Sequence, residues 1–530
     1  MKKLRLKPLI FFLLLLTASG ILLGFENQGS FIAAAKTIPI QHNGRVKPLD
    51  SFARQFLRLI AGGERWEKKE ALTALLDALA DREKINDLRW VRIDYLELKE
   101  SLGLSQDGHF FSMNEILPSV SKIQVLVREA KLKRDRDERP TKLEQKAEEL
   151  YTKMHAVDGV ASGESLNVLP APFSPAWGSP YRMQIGFSSE FIQLIQDYKK
   201  RDLPRFEKET NAWIEKVYAI AKETPRWKLA LEVRYYAWRP FEAAAAAYFA
   251  AFLLLTFFKR KKLFYSAGFF LLCGAILCHT AGIIFRVLIL SRPPVSNMYE
   301  SMIFMNWALI VFALVFSLVK RNPVPLVVGS LVSGFIMIYG NLLPLDAGLD
   351  VLVPVLRSNY WLTIHVMTVV SSYGAFGLAM GLGHQHLFKD AFGKFSKAAE
   401  EESAHLIFKV IQLGTLLIGV GTVLGGVWAN ESWGRFWGWD PKETWALITF
   451  LGYLIVVHLR YAKKISDFDV ALFSVLGFLL VLMTWYGVNF VLGRGLHSYG
   501  RGTGGMSWVI YYLIFEALFV GFILLKKKTI

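Results

Sequence analysis

The sequence predicts an all-α, polytopic membrane protein. It reads as a bundle of about eight or nine transmembrane helices, preceded by an N-terminal signal or anchor and a mostly helical extracytoplasmic domain. Three observations predict this. Hydrophobic residues make up 53% and charged residues 20% of the 530, with a mean hydropathy of +0.31, which excludes disorder and is too apolar for an ordinary soluble enzyme. Apolar runs such as Leu326–Leu343 and Val470–Leu492 are long enough to cross about 30 Å of hydrocarbon. The basic residues behind the formal charge of +17 gather at span ends, at Lys259–Lys262, Lys320–Arg321, Lys463–Lys464 and Lys526–Lys528. That is the positive-inside pattern, and it calls for no nucleic-acid partner.

Residues 1–25 open with Lys2, Lys3, Arg5 and Lys7, followed by the apolar stretch Leu9–Phe25, which is either a signal peptide or a first membrane anchor. Ala33-Ala34-Ala35 offers a small-residue cleavage site, and both readings export the segment after it. Residues 26–240 have mixed charge and no span, and are expected to form one soluble extracytoplasmic domain, mostly helical. Within it, Lys68–Lys84 and Lys122–Met154 suit surface helices, and Pro170–Pro180 a rigid loop. From Phe241 the spans fall near 241–258, 263–290, 300–319, 324–343, 361–388, 405–427, 445–462, 468–490 and 507–525, so that 241–530 is the membrane domain. If the first enters from outside, the inner segments carry 14 Lys and Arg and the outer loops six. The bias places 26–240 outside, in agreement with the export signal.

The outer segment 428–445 holds five tryptophans (428, 433, 437, 439, 445) interleaved with Gly434, Gly438, Asp440 and Glu443. An aromatic belt explains one or two Trp per span end, but not this density. Trp faces offer stacking area, indole N–H groups offer donors, and glycines let the backbone approach a flat surface. A porphyrin fits, and so does a quinone or a lipid headgroup.

Ten histidines bear on that choice. His365 lies about one turn inside the outer end of its span, and His497 in the next outer loop. Two outward histidines flanking a Trp-rich loop are what bis-imidazole ligation of haem iron requires. The plainer alternative is a pair of hydrogen-bonded interfacial residues. His458 lies near the inner end of its span, about 21 Å along the helix from Thr444. It is either a second, deeper haem position or a snorkelling side chain beside Arg460. His279, behind Cys273 and Cys278, sits mid-span; the two cysteines read as small packing residues, and a disulfide-stapled fold is excluded. His384 and His386 adjoin a charged loop and read as solvated. In 291–301, Ser296 or Asn297 reads as a helix N-cap with Glu300 in the first turn. There is no P-loop, dinucleotide fingerprint or H-E-x-x-H, so nucleotide use and zinc proteolysis have no support.

The stretch Trp433-Gly-Arg-Phe-Trp-Gly-Trp-Asp-Pro-Lys-Glu-Thr-Trp445 resembles the tryptophan-rich "WWD" signature of haem-handling proteins in cytochrome c maturation. Its Asp-Pro-Lys-Glu-Thr-Trp ending is similar to the CcsA (ResC) branch of the system II cytochrome c synthase, and the resemblance covers roughly 241–530, including Pro293–Ser301 as that family's second outer loop.

The resemblance implies a multi-pass protein of the bacterial inner membrane, with the WWD loop and residues 26–240 on the periplasmic side. It also implies cytochrome c synthase (haem lyase) activity within a complex. By matching position, His365 and His497 correspond to two external ligands of the iron of haem b, and His458 to an intramembrane one. Trp433, Trp437, Trp439 and Asp440 belong to the haem-binding loop; Asp440 fixes the loop or, alternatively, moves a proton. The partners implied are apocytochrome c, haem, and a CcsB/ResB-type membrane protein, because no such spans precede residue 241 and a second intramembrane histidine is needed. The competing readings are a haem exporter or carrier that presents haem without ligating it, and a transporter with an aromatic gate. Ile38–Arg54 resembles extracytoplasmic segments of larger members, without an assigned role.

Overall fold

The computed structural model describes residues 31–529 apart from 137, 172–173, 184–186, 259, 344, 346, 350–357 and 493–504. The N-terminal signal or anchor and His497 therefore lie outside the described residues. The chain divides into two compact units, one of Phe25–Ala237 and one containing Trp238–Ile530.

The first unit is organised by the segment without an assigned role. Pro39–His42 and Arg45–Pro48 pair antiparallel, Pro39 opposite Pro48 and His42 opposite Arg45. Their two-residue turn is Asn43-Gly44, with φ of 50° and 77°. Asn-Gly takes these left-handed angles at low cost and matches the twist of the strands. The hairpin leads into the helix Leu49–Ala61, whose Phe52, Phe56, Leu57 and Ile60 enter the core, Phe56 edge-on to Trp90 at 5.3 Å. Gln41 fastens the 170–180 loop, donating through Nε2 to the Pro175 carbonyl and accepting from the Trp177 N–H, both at 2.7 Å. Asp50, Arg54, Arg58 and Glu64 form one ion-pair network beside it. Tyr198 donates to Asp77 at 2.9 Å, and burial together with that bond pushes its phenol up to about 12.

Two expectations change here. The helix within 68–84 is Ala71–Ala80, and it is buried along most of its length rather than lying on the surface. The charges that suggested a surface, Lys68, Lys69, Arg82 and Lys84, all flank it. The stretch 122–154 is two helices, Val120–Asp135 and Lys142–Ala161. Pro140 bars continuation and Thr141 starts the second with a capping box to Glu144.

The second unit contains, among the described residues, nine apolar helices: α1 (Pro240–Phe257), α2 (Lys262–Leu290), α3 (Met298–Lys320), α4 (Val324–Leu342), α5 (Asn359–Ala391), α6 (Lys397–Trp433), α7 (Pro441–Tyr461), α8 (Asp467–Leu492) and α9 (Met506–Thr529). Eight are long and apolar enough to cross a membrane, and α4 is a shorter apolar helix. The protein is an all-α, multi-pass membrane protein. Large apolar side chains such as Leu277, Val319, Leu416 and Leu518 point outward, the inverse of a soluble bundle and appropriate to lipid.

α5 is central. It is 67% buried over its most apolar stretch, against 17% for α7 and α9, and it packs on α3, α4, α6 and α8. Small residues allow this: a Cβ on Gly374 would lie 2.6 Å from the Met305 carbonyl of α3. Without a hydrophobic drive between helices in lipid, such close backbone contact is what holds them together. Two spans change winding on the way through. α5 is π-helical over Leu362–Val366, and α8 over Met483–Leu492.

The histidines toward the C-terminal end of α5 are not solvated. His386 is fully buried and meets Ser403 at 3.0 Å, while His384 donates through Nδ1 to the Met380 carbonyl and contacts Glu516 at 3.0 Å. The helix runs on to Ala391, so neither belongs to the charged loop. His279 is buried against Tyr248 and Phe241 of α1. Cys273 and Cys278 form no disulfide.

Candidate functional site

The tryptophan-rich stretch is less loop than the sequence suggests. α6 continues through Trp428 to Trp433 and stops at Gly434, which takes φ +68°. A left-handed glycine is the usual helix stop. α7 starts at Pro441 with Asp440 as N-cap: Asp440 Oδ1 accepts from the Lys442 N–H at 2.8 Å, and Glu443 Oε2 accepts from the N–H groups of Gly438 (2.7 Å) and Asp440 (3.3 Å). Asp-Pro-Lys-Glu is thus a capping box with proline at the first helical position. What remains between is a connector of residues 434–440. Phe436 lies against α6 where Gly426 has no side chain, since a Cβ there would sit 2.5 Å from the ring. Trp439 takes φ +56° and is 70% exposed, its ring 5.9 Å from and edge-on to that of Trp437. A bulky residue in that conformation costs about 1–3 kcal/mol, and such strain clusters at functional sites.

Beneath this connector lies a cavity of about 1050 Å³ counted to its open mouth. Its walls come from α3, α5, α6, α7 and α8, and its lining is mostly apolar with a few polar groups, the character of a site for an organic ligand. His365 faces it from the π-helical turn of α5. The ring rests on α6 at Gly425, where a Cβ would lie 2.6 Å from Cε1. Its Nδ1–H donates to the Gly421 carbonyl at 2.8 Å, and Trp428 meets the ring edge-on at 5.7 Å. A backbone carbonyl on Nδ1 selects the tautomer that puts the lone pair on Nε2, the arrangement of metal-ligating histidines. Trp361 donates to Glu431 at 2.7 Å and ties the start of α5 to the end of α6.

The opposite wall rests on a buried charge cluster. Glu300 accepts from Arg286 (2.9 Å), Arg292 (2.7 Å) and the Ser296 N–H (3.0 Å), and all three ionised groups are buried. Arg286 also donates to the Ala347 and Gly348 carbonyls. Asn297, rather than Ser296, is the N-cap of α3. In the π-helical end of α8, Trp485 donates to Ser301 at 2.9 Å and Asn489 to the Trp485 carbonyl at 2.7 Å.

Of the residues assigned to haem binding from the sequence, His365 and Trp437 line the cavity, and so do Trp428 and Glu443 of the tryptophan-rich segment. Trp433 ends α6, Trp439 and Asp440 belong to the connector and cap, and none of these three lines it. His458 lies on the exposed face of α7, near its C-terminal end, its Nδ1–H given to the Leu454 carbonyl at 2.8 Å. It does not line the cavity that His365 faces. Lining residues not anticipated include Gly425, Gly426, Lys442, Trp485 and Asn489. The Gly421–Gly425 spacing was a legible signal for close helix approach. Among the described residues, no three His, Cys, Asp or Glu gather as a separate metal site.

Residues 295–497 match the family model described as cytochrome C assembly protein. A cytochrome c biogenesis protein CcsA of Guillardia theta is 37% identical over 235 residues, which cover 39% of this chain and 76% of that protein. The CcsA of a Prochlorococcus marinus strain is 35% identical over 247 residues, covering 41% of this chain and 78% of its own. Protein NrfI of Wolinella succinogenes is 39% identical over 229 residues, 42% of this chain; the match covers only 25% of NrfI.

Proposed function

The chain belongs to the CcsA family of cytochrome c assembly proteins, and from that premise we propose that it holds haem b in the cavity under the tryptophan-rich connector for covalent attachment to an apocytochrome c. The observation that carries this is His365: an imidazole fixed on α6 by the Gly421 carbonyl through Nδ1, on the wall of a mostly apolar cavity. His365 would supply one axial ligand and His497 the other. Trp437 and Trp439 would flank the ring. Asp440 acts by capping α7 and so holding the connector, which supports a positioning role rather than proton transfer. His458, on the exposed face of α7, would meet a deeper haem shared with a histidine of a CcsB/ResB-type partner.

In the reaction, each thiol of the apocytochrome Cys-x-x-Cys-His segment adds across a vinyl group. The S–H hydrogen goes to the terminal carbon and sulfur bonds to the inner carbon, so the vinyl double bond is consumed with no net redox change. Positioning would supply most of the rate, because thiol and vinyl must be held at near-attack distance. The apocytochrome histidine then replaces one axial imidazole, His497 in this reading, and frees the product. The setting is a bacterial inner membrane with the connector and residues 26–240 on the periplasmic side.

The test is the absorption spectrum of the purified chain, wild type against His365→Ala, His497→Ala and His458→Ala. A bis-imidazole haem spectrum altered in the first two is expected. Wild type without haem, even with the partner present, refutes the reading. Haem bound normally, but without covalent holocytochrome when the partner and apocytochrome are supplied, favours a carrier over a lyase.

A further inference from the structure

Most polar groups of the cavity are already satisfied within the fold. Trp485 donates across the α3–α8 wall to Ser301, Asn489 donates to the Trp485 carbonyl, and Ser296 is held by Glu300. Glu443 accepts two backbone N–H groups through Oε2, while its Oε1, buried without a hydrogen-bond partner among the described residues, faces Arg435 at 3.8 Å. Two donors at the α7 side stand apart. Trp437 Nε1 is buried without a hydrogen-bond partner among the described residues. Lys442 lines the cavity, and among the described residues no hydrogen bond or ion pair engages its ammonium; the carboxylate that acts on it, Asp440, is occupied in capping the helix. Arg435, the other cation nearby, faces Glu443 at 3.8 Å. A buried indole N–H costs free energy while unpaired, as does an ammonium drawn out of water. Both costs vanish if the ligand brings an anion.

We propose that Lys442 and the Trp437 indole N–H bind the carboxylate edge of the tetrapyrrole and thereby set its orientation in the cavity. This rests on the haem reading above. In protoporphyrin the two propionates occupy one edge of the macrocycle and the two vinyl groups lie away from it. Anchoring the acid edge beside the start of α7 turns the vinyl groups away from it, toward an incoming thiol. The ring stacks without regard to direction, so apolar contact alone leaves this choice open; a charge-assisted hydrogen bond does not. The site therefore selects a carboxylated tetrapyrrole over an esterified one or a neutral quinone.

The experiment titrates the purified full-length chain with iron(III) protoporphyrin IX and with its dimethyl ester. Wild type, Lys442→Met, Lys442→Arg, Trp437→Phe and His365→Ala are compared by absorption. Wild type is expected to bind the free acid at least about tenfold more tightly than the diester, which is about 1.4 kcal/mol. Lys442→Met brings that ratio near one while the axial-ligand bands of bound haem stay in place; Lys442→Arg keeps the preference and Trp437→Phe lowers it. The ratio is read within each variant, so a partly unfolded sample does not distort it. A Lys442→Met ratio equal to that of wild type overturns the proposal while leaving the haem site standing. If wild type binds neither compound, or His365→Ala leaves the spectrum unchanged, the haem site itself falls and this inference with it.

Discussion

Replacing Gly425 by alanine tests the placement of His365 without touching the histidine. The new Cβ would lie 2.6 Å from Cε1, 3.1 Å from Nδ1 and 3.2 Å from Nε2 of the ring. The ring must retreat by roughly an ångström to reach ordinary contact distance. Trp428 on one side and the 2.8 Å bond to the Gly421 carbonyl on the other leave it no equivalent position. That retreat breaks a bond worth about 0.5–1.5 kcal/mol and releases the tautomer and angle of the ring. Losing the partner that orients a metal-ligating histidine costs about 10–100-fold in metal affinity. The helix itself gains, since alanine is about 1 kcal/mol better than glycine in a helix interior. Gly425→Ala should therefore fold as well as wild type but bind haem about 10–100-fold more weakly, with a changed spectrum. The assay is a haem titration beside a thermal melt, with Gly521→Ala as control, because a Cβ at Gly521 meets nothing within 4 Å. Wild-type affinity and spectrum in Gly425→Ala would refute the placement of the ligand on this ring.

The packing leads to three further outcomes. Glu300→Gln removes the buried carboxylate that Arg286 and Arg292 share, and should cost about 3–5 kcal/mol, seen as a large loss of thermal stability in detergent. Asp440→Ala should cost about 1 kcal/mol by loss of the cap, whereas Asp440→Asn should retain most stability and function; complete inactivity of a folded Asp440→Asn would instead indicate proton transfer. The Tyr198 phenol is raised in the folded chain, so its contribution is intact below the unfolded value of about 10 and is lost as pH rises through about 12. Tyr198→Phe should flatten the alkaline loss of stability measured by melting between those limits, and an unchanged alkaline profile would disprove the assignment.

How much was legible depends on the range over which each signal acts. The helical spans were readable because a membrane demands about twenty apolar residues with every backbone group satisfied locally. The Trp-rich stretch was readable as chemistry, but its extent was not: local rules of Gly434 as helix stop and Asp-Pro-Lys-Glu as helix start shorten the loop to 434–440. Asn43-Gly44 carried an equally local hairpin signal. Burial misled where charge lay beside a helix rather than on it, as at Ala71–Ala80, and at His384 and His386, where partners on other helices replace water.

The sequence by itself determined the class of molecule, the approximate number of apolar helices and the family, because these are set by composition, periodicity and a specific motif. Only the tertiary structure decided which residues meet. It sets His365 on Gly425 and Gly421, separates it from His458, and brings Lys442 and Trp437 to the same cavity. The physical reason is that a change of winding at 362–366 and close contact between α5 and α6 fix the direction of a side chain, and neither is written in the spacing of residues along one helix.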